Sequence, residues 1–244
     1  MEIITKEILI DYQKKYWDIE CKKDKLFIIF GLLGDFDSIE YAKNISNYIR
    51  ENKNLTFDIF AFAIGSEEGK AEFCNFTEFP IDRLIIFNNN NLHKTLNLYS
   101  GIKTNVSHWI DFLLMLSGIG SSGTLKEVLR GYIGDKSSKN IFKENDSINI
   151  GSFIKFKGSL FQNVSKENYL RPFELATYRL INMEEIIIKW NKYIYSSEFL
   201  TQRGGTFLLN KKNDILYEYR SKAILNYSET MNEPLLFIKN IYSN

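Results

Sequence analysis

The 244-residue chain is 44% hydrophobic and 15% aromatic, enough apolar surface to bury a core, which excludes global disorder. Its length fits one enlarged α/β domain or two. Thirty-one Lys and Arg against thirty Asp and Glu leave a net charge of +1, so the chain lacks the excess that nucleic-acid binding demands, and no nucleic-acid partner is expected.

The first strong element is residues 25–31, where the apolar run LFIIF ends in glycine, the pattern of a strand buried on both faces. After the turn GLLG, Asp37 reads as an N-cap acid with Glu40 three residues on. Ile39, Ala42, Ile45 and Ile49 then recur at helical spacing. Residues 57–64 form a second buried strand, 66–76 a second helix and 83–87 a third strand. Short buried strands alternating with helices imply a parallel sheet with right-handed crossovers and functional groups at the carboxyl ends of the strands.

Residues 104–203 are too long for a structureless loop and are expected to carry helices. The clearest spans 174–194, where Ala176, Leu180, Met183, Ile187, Trp190 and Ile194 make an apolar stripe expected to pack inward. Residues 108–117 form a helix that is apolar nearly all round. Residues 123–131 form another, capped by Ser122 or Thr124 with Glu127 available for a capping box. The polar stretch 135–149 reads as a surface loop. Beyond the segment, runs 205–209 and 215–219 around a polar turn form a hairpin. Residues 227–241 close the domain as a helix whose start is left open by Pro234. The expected fold class is α/β, βαβαβ then ββα, in a single domain 1–244 with a mostly helical insertion at 104–203.

Gly34-Asp-Phe-Asp-Ser-Ile-Glu-Tyr-Ala42, Phe60-Ala-Phe-Ala-Ile-Gly65, Leu92-His-Lys-Thr-Leu-Asn-Leu-Tyr99 and Gly204-Gly-Thr-Phe-Leu-Leu209 followed by Ile215-Leu-Tyr-Glu218 resemble the peroxiredoxin-like, AhpC/TSA-related branch of the thioredoxin superfamily. The strings FLLMLSGIGSSGTLKEVLRGY (112–132) and FELATYRLINMEE (173–185), with the first segment, are similar to a cyanobacterial and plastid subgroup of that branch. The resemblance implies a thioredoxin-like fold and an antioxidant, oxidoreductase-like function. Redox-active relatives carry Cys-x-x-Cys at the turn before the first helix, and on this chain the two positions are Asp35 and Ser38. Neither supplies the low-pKa thiolate that peroxidase or disulfide-exchange chemistry starts from.

Asp35, Asp37 and Ser38 admit two readings: a polar ligand site or acid/base group, or helix capping with solvated carboxylates that the helix dipole keeps ionised. Gly204-Gly205, with Thr206 beside it, stands where the superfamily has a cis-proline. It permits close approach of a ligand or serves a strand entry that needs glycine. Arg203 either pairs with the Asp35 region or is an ordinary surface arginine. His93 and His108 have no second ligand at metal spacing and read as surface residues. Cys21 and Cys74 are too far apart for a disulfide scaffold or zinc site and read as reduced packing residues. No metal and no cofactor are expected.

The apolar helix carrying Trp109, Phe112 and Leu113 is a candidate interface for a protein partner or a peripheral membrane contact, or else a buried lid. The stretch 126–171 has nine basic and five acidic residues, a mild excess that a solvated face explains. Trp109 to Ile119, the most apolar window, is about half of the ~20 residues a bilayer needs, and the N-terminal residues show no export signal. The expected location is the cytoplasm, with contact to an internal membrane left open. Two functions follow. One is a binding or assembly module on a degenerate redox fold; the other is an antioxidant oxidoreductase of peroxide or quinone type with a non-standard site.

Overall fold

The structure, a computed structural model, describes residues 2–17, 21–151, 154–165 and 168–242. Its centre is a five-stranded sheet built from β1 (Asp24–Leu32), β2 (Phe57–Ile64), β3 (Leu84–Phe87), β8 (Gly205–Leu209) and β9 (Ile215–Arg220), in the order β3-β2-β1-β8-β9. β1, β2 and β3 run parallel, while β8 is antiparallel to β1 and β9 to β8. This mixed α/β architecture matches the expected βαβαβ then ββα order and is consistent with a thioredoxin-like fold.

Alternation along the strands divides the core. Phe27 and Ile29 of β1, with Phe60, Phe62 and Phe207 beside them, face one side. Leu26, Ile28 and Phe30 face the other. The first side is covered by α4 (Asn91–Thr95) and by α1 (Glu2–Trp17), a helix that the mixed acids and lysines of the N-terminal sequence do not announce. Tyr12 meets Phe62 edge-on at 5.8 Å, and Trp17 meets Phe60 at 4.9 Å. α2 (Phe36–Glu51), α3 (Glu67–Thr77) and the C-terminal helix, α10 (Leu236–Tyr242), cover the second side through Ile39, Ile45, Phe73 and Phe237. That last helix starts at Leu236, two residues beyond Pro234 rather than at 227. Cys21 packs on the first side and Cys74 on the second, with no disulfide at either.

The intervening segment contributes no strand to this sheet among the described residues. It holds α5 (His108–Leu116), α6 (Thr124–Ile133), β4 (Asp135–Lys139), β5 (Ser147–Ile150), β6 (Ile154–Lys157), α7 (Ser159–Val164), β7 (Tyr169–Leu170), α8 (Glu174–Ile188) and α9 (Trp190–Tyr193). The expected loop at 135–149 is therefore two strands joined by a turn. β4 pairs with β7 and β5 with β6, and Glu174 accepts the backbone N–H groups of Ile141 and Phe142 (2.8 and 2.7 Å) that tie the turn down. α6 begins at Thr124 on Gly123 with no side-chain cap. The Thr124 hydroxyl instead donates to the Ile224 carbonyl (2.8 Å), which corrects the expected Ser122 or Thr124 cap.

The expected helix 174–194 breaks at Lys189 into α8 and α9, and its packing face is only partly the predicted one: Ile194 of the stripe is buried and Trp190 packs against the core. Leu175, Asn182 and Ile186 are buried and Arg179 nearly so, whereas Leu180 and Ile187 of the apolar stripe are exposed. The cause is a buried ion-pair chain. The Arg179 guanidinium clamps Glu40 of α2 through two bonds (2.8 and 3.1 Å) and reaches Glu127 of α6 at 3.4 Å. Arg130 continues the chain to Glu127 (2.9 Å) and Asp135 (3.2 Å), and the Tyr227 hydroxyl donates to Glu40 (2.9 Å). Burial alone raises the Glu40 pKa, but the Arg179 clamp outweighs it and holds that carboxyl below its ordinary value.

Candidate functional site

The turn between β1 and α2 lies at the carboxyl end of the central strand, where a parallel sheet presents functional groups. Gly31 is required in the strand end: a Cβ there would collide with the Asp35 carboxyl and the Gln202 carbonyl. Asp35, rather than Asp37, is the N-cap. It has extended backbone angles, its carboxylate accepts the Ser38 N–H at 2.6 Å, and the helix begins at Phe36.

Asp35 and Asp37 are both buried, not solvated, and Arg203 lies 99% buried between them. Its guanidinium is 3.8 Å from the Asp35 carboxylate and 3.2 Å from that of Asp37. It also donates to the carbonyls of Thr201 (3.0 Å) and Leu200 (2.9 Å), which fix its direction. Of the two readings of Arg203, ion pairing is the one the fold realises. Asp37 in addition accepts the Leu225 N–H at 2.6 Å, linking the pole to the segment after β9.

Two buried carboxylates thus share one guanidinium. Desolvation raises the pKa of both, against the pull of Arg203, and repulsion from Asp35 adds to the rise at Asp37, which reaches about 7. This overturns the expectation that a helix N-terminus keeps the acids ionised: dipoles and one arginine do not replace the water that two carboxylates lose. Both carboxyls therefore bind a proton more readily than exposed aspartates do.

Ser38 lies beside them, and its buried hydroxyl has no hydrogen-bond partner among the described residues. It borders a small cavity of about 20 Å³, with Asp37, Tyr41, Gly204, Gly205 and Thr206 around it, space for about one water molecule. The Tyr41 hydroxyl bonds the Thr206 hydroxyl across it (2.9 Å). Gly204 needs its missing side chain because the Ile29 carbonyl fills the place of a Cβ. The close approach is therefore by the chain's own β1, and neither Gly204 nor Gly205 has a positive φ. The structure thus gathers Asp35, Asp37, Ser38, Arg203, Gly204, Gly205 and Thr206 at one pole.

His93, read from sequence as a surface residue, is fully buried near this pole. Its Nε2–H donates to the Phe30 carbonyl at 2.7 Å, and burial lowers its pKa to about 4. The signal was present in Leu92 and Leu96, which flank it in a helix packed on the sheet. His108 is exposed, as expected. No cluster of three metal-ligating side chains occurs among the described residues. Cys74 is buried with its thiol pKa pushed up to about 11 by desolvation, and burial with the nearby Asp58 charge raises that of Cys21, the opposite of what activates a thiol.

The remaining candidate, α5, is neither a buried lid nor fully exposed. Met115 and Asp111 point inward, Phe112 is half-buried against Phe36, and Trp109, Ile110 and Leu113 are exposed, with Trp109 stacked on Trp190 at 5.2 Å. No helix among the described residues is long and apolar enough to cross a membrane.

No curated protein and no solved structure matches the chain. A family model described as AhpC/TSA antioxidant enzyme matches residues 44–223. The match begins inside α2, after the Asp35 to Ser38 turn, and takes in the central sheet from β2 onward and the whole intervening segment. The sheet topology and this match agree, and the chain belongs to the AhpC/TSA antioxidant enzyme family.

Proposed function

We propose that this protein is a peroxiredoxin-like member of its family whose thiol site has been replaced, and that it acts as a binding or assembly module through residues 104–203. The observation that carries the reading is the turn itself. By the resemblance, Asp35 and Ser38 stand where redox-active relatives carry thiols, and in the structure Asp35 caps α2 beside the buried Arg203. The two cysteines lie on opposite sides of the sheet with raised pKa values, so neither offers a thiolate near the pole. The strings at 112–132 and 173–185 support the cyanobacterial and plastid subgroup, and the exposed Trp109 and Leu113 support a surface for docking.

The test is a peroxide consumption assay with thioredoxin, glutaredoxin or glutathione as reductant. The expected result is no turnover above that of a Cys21→Ser, Cys74→Ser variant. Turnover that depends on either cysteine overturns the reading. A second reading, a family oxidoreductase working without thiols, is favoured by one observation: the Asp37 carboxyl, its pKa raised to about 7 by burial, lies beside the Ser38 hydroxyl and a small cavity, where a general acid would stand. It requires reduction of a peroxide or quinone, with the two electrons supplied by added thioredoxin, glutaredoxin or glutathione, that Asp37→Asn abolishes and the cysteine variants leave intact.

A further inference from the structure

α6 is packed inside out. Glu127 and Arg130 turn toward the protein and into the ion-pair chain, while Leu125, Leu129, Tyr132 and Ile133 face outward. Leu129 is 58% and Ile133 70% exposed. α8 shares the arrangement in part: Glu174, Arg179 and Asn182 lie inward beside Leu175 and Ile186, and Leu180, Ile187 and Ile188 lie outward. The two helices adjoin. A side chain at Gly131 would touch Ala176 of α8, and the Tyr132 ring meets Phe173, just before α8, at 6.0 Å. Of the nineteen large apolar side chains exposed among the described residues, all but Ile81 and Leu216 lie in residues 104–203. Scattered apolar exposure is ordinary, whereas this concentration on one segment marks a covered face.

The charges in the same segment indicate what covers it. Lys126, Lys136, Lys139, Lys143, Lys155 and Lys157 are exposed, and none pairs with a carboxylate among the described residues. The exposed carboxylates there are only Glu144 and Glu198 among the described residues. A second copy packed through this lysine-rich segment would bring like charges together. An anionic bilayer meets both demands. Its acyl layer takes Leu129, Ile133 and their neighbours, tyrosine suits the interfacial layer, and lysine stems reach up to the headgroups. We propose that the α6–α8 face binds the surface of a membrane containing anionic lipid, without crossing it. This inference rests on the binding-module reading and supplies that module's partner.

The experiment is flotation of the purified full chain with vesicles of equal parts phosphatidylcholine and phosphatidylglycerol, beside vesicles of phosphatidylcholine alone. The expected result is co-flotation with the anionic vesicles, weakened at least roughly tenfold by Leu129→Asp with Ile133→Asp. Lys136→Glu with Lys157→Glu, or high salt, weakens it as well. All variants keep the wild-type melting temperature because the changed side chains are exposed. Absence of flotation with anionic vesicles, or flotation that neither pair of substitutions alters, overturns the inference. Sedimentation separates the two levels. A dimer that Leu129→Asp with Ile133→Asp dissociates, in a chain that ignores vesicles, removes the lipid and leaves the binding-module reading standing. That reading itself fails by peroxide turnover that depends on either cysteine, or by turnover that Asp37→Asn abolishes.

Discussion

The sheet and the segment between β3 and β8 use their side chains in opposite ways. In the sheet, Phe27, Phe60, Phe62 and Phe207 are inside and the charges are largely outside. In the segment, Glu127, Arg171, Glu174 and Arg179 are inside together with Leu175 and Ile186, while Leu125, Leu129, Ile133, Leu180, Ile187 and Ile188 are outside. The first is held by area removed from water. The second is attached through charged groups whose desolvation cost is met only while every partner is present. The contrast teaches that the segment adds a buried ion-pair chain to its apolar contacts with the core through Ile186, Tyr193, Ile194, Phe199 and Leu200, while much of its other apolar surface stays exposed.

The largest test of this contrast is Arg179→Ala, which strands Glu40 and Glu127 in the interface between α2, α6 and α8. A loss of about 3–5 kcal/mol is expected in urea unfolding, as for a buried pair deprived of one partner. A loss under ~1 kcal/mol would mean that the segment is held by packing like the sheet. The polar exceptions within the sheet half sharpen the comparison through pH. Asp37 has a folded pKa near 7, above its unfolded value, so its contribution is fully present below pH ~4 and is lost as pH rises through ~7. Asp37→Asn is therefore expected to gain stability relative to wild type between pH 5 and 8, by a few kcal/mol at most, measured as unfolding free energy against pH.

His93 works in the other direction. Its folded pKa of about 4 lies below the unfolded value, so its contribution is present above pH ~6.5 and is lost as pH falls to ~4, by about 3 kcal/mol. His93→Gln should flatten the acid limb of the wild-type stability curve. A limb of unchanged slope would contradict the buried neutral ring. At the pole, Asp35→Cys with Ser38→Cys should form a reversible disulfide under mild oxidation, with the first thiol acidified by Arg203 and the α2 N-terminus. A folded variant whose thiols stay unpaired would show that these are not the old thiol positions. The smallest effect is expected from Leu129→Asp with Ile133→Asp, within ~0.5 kcal/mol by thermal unfolding, although aspartate at Phe62 or Phe207 would prevent folding. A large loss would mean that α6 is packed the ordinary way round.

Much of the fold was legible along the chain. Apolar runs at 25–31, 57–64 and 83–87, and the β-rich hairpin, are local patterns set by burial and turn chemistry, and each became a strand within a residue or two of its expected ends. The positions at the pole were also legible, because a strand, a turn and a capped helix bring Asp35 and Ser38 there by local geometry alone. What local pattern could not give was the environment. Asp35 and Asp37 read as solvated because water is the default around an acid; only the return of the chain at 200–206 brings Arg203 over them and shuts water out. His93 read as exposed because its neighbours Lys94 and Asn91 are polar, and only the sheet beneath decides which face of so short a helix is buried.

The amino-acid sequence by itself determined the order of strands and helices, the absence of a thiol at the turn, and the presence of an apolar stripe on α8. Tertiary structure alone decided which way that stripe faces. Periodicity reports that a helix has two unlike faces, but not which medium each one meets. Here Arg179, bound to Glu40 139 residues earlier in the chain, is drawn inward, and Leu180 and Ile187 of the stripe are left outside.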